Sequence, residues 1–146
     1  MATYFKKKVQ MTKSEVLDAV NECQDAIDAS TVQKNLTISL GFFATLGGLA
    51  TPAVPFTVMA GVLIGLSATA IDETIETTTA AQKVFKNYNN WMAEKIYEKI
   101  EVEIEYKSEK YTYKDGLTNQ THYFETPCGF KLTGSKKPGK DWVFIS

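Results

Sequence analysis

Apolar residues Val16, Val20, Cys23 and Ile27 recur four, three and four positions apart, which places them on one stripe of a helix. Asp18, Glu22, Asp25 and Asp28 fill the opposite face. Thr12 and Glu15 bracket the start as a capping box, a hydroxyl at the N-cap and a carboxylate three residues later. The pattern predicts a helix over 13–30.

Charge then disappears. From Asn35 to Ile71 the chain carries no Asp, Glu, Lys or Arg. Pro52 and Pro55 sit close to the middle, and two prolines in four residues break a regular helix. The segment predicts two apolar helices, 36–50 and 56–71, folded back on each other about a turn at Thr51–Pro55. Gly61 and Gly65 form a G-x-x-x-G, and Ala44 and Gly48 repeat the small-x-x-x-small spacing in the first half. Such spacing lets helix backbones approach closely.

Charge returns with Asp72, Glu73 and Glu76, and a second stripe runs through Ile75, Phe85, Tyr88, Met92 and Ile96. It predicts helix to about residue 99, continuous with the second half of the hairpin if nothing interrupts it. The period then changes from 3.6 to 2. Glu101 to Tyr106 alternates strictly, Tyr111-Thr112-Tyr113 resumes, and Asp115-Gly116 signals a turn. Further strands are expected at 122–125, 130–133 and 142–145, separated by Pro127-Cys128-Gly129 and by Lys137–Lys140. The fold class is α+β. A helical region over 1–100 holds the central hairpin, and residues 101–146 form an antiparallel β-meander of three to five strands, as a separate unit or as one domain with the helices.

Composition narrows the function. The 146 residues suffice for one ordinary core, and net charge is −1. All 16 basic residues are Lys. Lacking the planar fork of Arg and any strong field, the chain is not expected to bind nucleic acid. The N-terminal basic cluster has no apolar run behind it, so it does not read as a secretory signal. Cys23 and Cys128 lie far apart and outside any C-x-x-C pair, and two separate thiols are expected in preference to a disulfide.

Candidate chemistry is sparse. His122 is the only histidine, on a predicted strand, and no second His or Cys completes a metal site. Glu101, Glu103 and Glu105 share one strand face, expected to be the solvated face of an edge strand. Gly47-Gly48 lacks phosphate-loop spacing. No catalytic residue, metal, cofactor or small-molecule substrate is assigned, and no enzymatic activity is expected. From Tyr106 to Phe144 aromatic residues are dense, and Lys outnumbers the acids seven to four. A basic, Tyr-rich sheet of this kind suits docking on a receptor, a glycan or lipid headgroups, or simply needs large side chains for its own core.

Each half of the hairpin is about 15 residues, roughly 22 Å of helix against a hydrocarbon core of about 30 Å. Fifteen Leu, Ile, Val and Phe residues between Leu36 and Ile71 favour insertion by ~5–9 kcal/mol at most. Five Gly, two Pro and seven hydroxyl residues oppose it. Over residues 12–99 this arrangement resembles that of helical pore-formers, which shelter a hydrophobic hairpin behind amphipathic helices until it meets a membrane.

The resemblance implies a non-enzymatic, membrane-active protein, pore-forming toxin or bacteriocin-like, of bacterial or phage origin. Its partners would be a lipid bilayer and further copies of itself. Its site would be the helix-packing set Ala44, Gly48, Pro52, Pro55, Gly61 and Gly65. It would be membrane-associated, or secreted without a signal peptide. Two alternatives stand beside it. One is a structural assembly subunit of a virion, tail or filament, with the hairpin buried between subunits. The other is a hairpin-anchored membrane protein such as an immunity factor.

Overall fold

A computed structural model describes residues 2–145. The elements are β1 (Thr3–Thr12), α1 (Lys13–Ile27), α2 (Val32–Leu46), α3 (Phe56–Leu66), α4 (Ala68–Ala93), β2 (Lys99–Asp115), β3 (Thr118–Lys136) and β4 (Trp142–Phe144). The fold is α+β, with four helices and a four-stranded antiparallel sheet of order β1-β2-β3-β4.

The sheet departs from expectation first at β1. The N-terminal segment, to which the hydropathy pattern gave no element, pairs along β2 from Thr3↔Ser108 to Thr12↔Lys99. Lys6, Lys7 and Lys8 mask the strand in the sequence. β2 is therefore central, and its glutamates are not on an edge. Glu101 is buried and accepts from Thr133 Oγ1 at 2.8 Å and Gln10 Nε2 at 3.3 Å. Glu103 lies between Lys6 and Lys131 at 3.8 and 3.7 Å.

The alternation read from Glu101 to Tyr113 is one strand, β2, and the strands expected at 122–125 and 130–133 merge into one, β3. β2 and β3 pair over their whole lengths about the Gly116-Leu117 turn, where Gly116 has φ +66°. Pro127-Cys128-Gly129 is not a turn. Tyr106 pairs with Pro127 and Glu105 with Gly129, so Cys128 is the extra residue of a β-bulge, and Thr133 is the extra residue of another.

The first bulge marks a change of buried face. Up to Tyr106 the even residues Ile100, Val102 and Ile104 are fully buried, whereas beyond it the buried side chains are Lys107 and Tyr111, of odd number. Bulges add right-handed twist, and the β2–β3 ribbon turns its other side to the helices at this point. Two clusters result. Met11, Val16, Cys23, Phe43, Phe85 and Tyr106 anchor the first. Leu40, Met59, Leu63, Ala70, Tyr111 and Phe124 make the second.

The helices are displaced from their expected bounds. α1 buries Ala19 and Ala26 with Val16 and Cys23, while Ile27 is exposed. α2 occupies 32–46 rather than 36–50. The expected helix 56–71 ends at Leu66, and Ser67 at φ −148°, ψ 87° separates it from α4, so no continuous rod forms. α4 stops at Ala93 rather than near 99.

The buried side of α4 is lined by Thr74, Thr77, Thr78 and Ala81 as well as Phe85 and Met92. Its threonines donate to carbonyls one turn back, Thr74 to Ala70 at 2.7 Å, Thr77 to Glu73 at 2.6 Å and Thr78 to Thr74 at 2.9 Å. Satisfied in this way, the hydroxyls can be buried at small cost. Thr78 also meets Ser39 Oγ of α2 at 2.9 Å. Both cysteines are free thiols, Cys23 buried and Cys128 half-buried.

Candidate functional site

The connection from α2 to α3 is wider than a proline turn. α2 ends in a Schellman motif, with Gly48 N–H donating to the Thr45 carbonyl at 3.1 Å and Leu49 N–H to the Ala44 carbonyl at 2.9 Å. Gly48 takes the left-handed position, φ +65°, that the motif requires. It thus stops the helix, and the Ala44–Gly48 pair does not lie along one helical face. Pro52 is half-buried and Pro55 is the N-cap of α3.

Phe56 lies against Gly41, where an added Cβ would stand 3.5 Å from its ring. Gln33 Nε2 donates to the Thr57 carbonyl at 3.4 Å. α3 therefore packs on α2 over the stretch from Gln33 to Gly41. It buries only Met59, Ala60 and Leu63. Gly61 and Gly65 face outward: a Cβ on Gly61 would meet only Gln33 Nε2, at 3.9 Å, and one on Gly65 would meet nothing within 4 Å. Neither glycine mediates helix packing within the chain.

Every exposed position between Thr51 and Thr69 is uncharged, including Val58, Ile64 and Leu66 at 40, 46 and 56% exposure. Where it meets the sheet this surface borders the exposed charges of Lys114 and Asp115. A groove of about 480 Å³ runs between Val58, Gly61, Val62, Gly65 and Leu66 on α3 and Thr112 to Asp115 on β2. At the hairpin tip Leu117 is fully exposed. Gly116 has positive φ and Leu117 does not, the geometry of a type II′ turn, which asks for no apolar side chain at its second position.

Beneath this surface lies a charged hydrogen-bonded cluster absent from the sequence reading. Lys107 Nζ, 6% exposed, is 2.7 Å from Glu73 Oε1 of α4. Burial pushes the Lys107 ammonium down, but the hydrogen bond and charge of Glu73, with Glu109, push it up further, and the net direction is upward. Tyr111 donates to Glu109 at 2.7 Å. Burial pushes its phenol up against a lowering by Ser67, at the α3–α4 break. A second tether joins the sheet to α2, where Tyr106 Oη donates to the Phe43 carbonyl. Gly47 makes room for that phenol: a Cβ there would come within 2.8 Å of Tyr106 Cζ.

A larger recess, about 690 Å³, lies where α1 hands over to α2, among Asp25, Asp28, Thr31, Gln33 and Lys34. No three His, Cys, Asp or Glu residues cluster to hold a metal among the described residues. Among those residues no helix is long and apolar enough to cross a membrane. Comparison with protein-family models, curated proteins and solved structures gives no match.

Proposed function

We propose that the chain is a non-enzymatic, membrane-active protein of the pore-forming kind, in which the apolar hairpin of residues 36–71 enters a bilayer with α3 leading. One observation carries the reading: the outer surface from Thr51 to Thr69 is exposed and wholly uncharged, with three large aliphatic side chains in solvent. An uncharged surface with large aliphatic side chains in solvent suits a contact with lipid or with protein. α3 is also weakly held. Uncovering Met59 and Leu63 costs about 3–6 kcal/mol; the ~5–9 kcal/mol available from hydrocarbon belongs to residues 36–71 as a whole, so α3 draws on that gain only as α2 follows it. α2 is bound more firmly, by Leu36, Leu40, Phe43 and the Tyr106 and Thr78 hydrogen bonds, so it follows α3 rather than leading it. The fully exposed Leu117 at the hairpin tip adds a second apolar contact.

The test is release of dye from loaded lipid vesicles across pH and lipid composition. Leakage by the wild type is expected, and Gly61→Leu and Gly65→Leu are expected to fold normally but to leak less, because outward glycines let helices pair in lipid. Absence of release under every condition overturns the reading. It would favour an assembly subunit, in which the same uncharged surface packs against another copy; the 11-residue length of α3 suits that alternative.

A further inference from the structure

We propose that a second copy of this chain pairs antiparallel with the free edge of β3 over Thr118–Thr126, adding strand to strand across a two-fold axis. β2 occupies one side of β3, and β4 covers the other only at Gly134–Lys136. From Thr118 to Leu132, among the described residues, no backbone hydrogen bond reaches an element other than β2. An edge of that length is a template for another strand unless it is guarded.

The two edges of the sheet are treated differently. β1 carries Lys6, Lys7 and Lys8 along its middle, a charge block against pairing. On β3, Pro127 and the bulge at Cys128 guard the proximal half. The distal half has no such device: Gly116 to Phe124 contains no charged residue, and its Thr, Tyr and Phe suit a strand.

The occupant follows from charge. A neutral edge offers nothing to an acidic or basic partner, whereas it pairs with itself without repulsion. A two-fold through the centre of the window, at His122, sets Tyr123 opposite Thr121 and the one carboxylate, Glu125, opposite Asn119. No like charges meet. Both Thr121 and Tyr123 are exposed, Tyr123 at 65%, and neither belongs to the membrane-facing surface of α3. The inference stands independently of the membrane reading.

Sedimentation of the full chain from about 10 µM to about 1 mM is expected to show a concentration-dependent dimer, since one strand pair is a small interface. Thr121→Lys with Tyr123→Lys places lysines directly opposite each other across the axis, and the dimer is expected to weaken at least about tenfold with an unchanged circular dichroism spectrum. Hydrogen exchange on the wild type needs no variant: protection of amides 118–126 is expected to rise with concentration. A chain that stays monomeric throughout, a double variant that dimerises as well as the wild type, or a dimer with no added protection at 118–126 overturns the proposal. Vesicle leakage is read separately, so failure of one proposal leaves the other legible.

Discussion

The Lys107 ammonium and the Glu73 carboxylate, 2.7 Å apart, join the middle of β2 to the first half of α4. Lys107 is nearly inaccessible and Glu73 is about a third exposed. The pair holds α4 against the sheet within two turns of the Ser67 break, where α3 begins to be free.

Removing one partner of such a pair leaves the other charge buried and unpaired. Glu73→Ala is expected to lose about 2–3 kcal/mol of unfolding free energy, reduced from the fully buried case by the exposure of Glu73. Lys107→Met, which removes the charge and keeps the apolar stem, is expected to cost less. Because the folded-state value of Lys107 is raised, its contribution is fully present below the ordinary lysine range and is lost as pH rises through the raised value. Urea unfolding of the three proteins at pH 7, and of the wild type up to alkaline pH, checks both statements.

Tyr106 and Gly47 form the second joint. Gly47→Ala drives a methyl into the Tyr106 phenol and is expected to cost about 2–4 kcal/mol. Tyr106→Phe is expected to cost only about 1 kcal/mol, because the Phe43 carbonyl keeps the Gly47 N–H at 3.0 Å. The double variant should lose less than the sum of the two losses, since Tyr106→Phe removes the nearest clashing atom, the phenol oxygen, and leaves only the ring carbon Cζ at 2.8 Å to give way. A double-mutant cycle in urea measures the coupling; strict additivity would contradict the geometry.

Legibility in the sequence followed the strength of each local signal. The capping box at Thr12 is present as read, with the Thr12 N–H donating to Glu15 at 3.1 Å. The Asp115-Gly116 turn is likewise where its residues demand it. β1 was hidden because three lysines interrupt its alternation, and its pairing with β2 spans about 90 residues of chain, a distance no local pattern encodes. The aromatic positions 106, 111 and 113 change parity, so the alternation read over 101–106 and resumed at 111–113 does not keep to one face. The structure resolves the parity change as one strand that presents opposite faces on either side of the Cys128 bulge.

The site was read less well, for a related reason. Gly48 looked like a packing residue because spacing alone does not distinguish a helix interior from a helix end. The buried stripe of α4 is built largely from threonines, which a hydropathy pattern scores as polar until their hydroxyls are seen to bond one turn back. Lys107 and Glu73 are ordinary charges in sequence, and only packing makes them a pair.

The thiols provide a sensitive report on the fold. Burial, with Glu22 adding to it, pushes Cys23 up to about 12. Cys128 is pushed up to about 11, first by burial and then by Glu105 and Glu73. The thiolate is the reactive form, so native protein at pH 8 is expected to react slowly with a disulfide reagent at both positions, Cys128 ahead of Cys23. Unfolded protein should react at both sites at once. A native burst of two thiols would show that the first core cluster is open in solution.

α2 and α4 end in the same backbone motif with different residues in its left-handed position. At α2 it is Gly48, φ +65°, and at α4 it is Lys95, φ +62°, where Ile96 N–H donates to the Trp91 carbonyl at 2.8 Å. A side chain costs about 1–2 kcal/mol in that conformation, and glycine avoids the cost at some loss of chain entropy. Lys95→Gly is therefore expected to stabilise the fold by about 0.5–1 kcal/mol, and Gly48→Ala to destabilise it by about 1 kcal/mol. No heavy atom lies within 4 Å of a Cβ built at Gly48, so its loss would report backbone strain alone. Thermal unfolding of the two variants should move Tm in opposite directions; a shared direction would mean that at least one helix ends differently in solution.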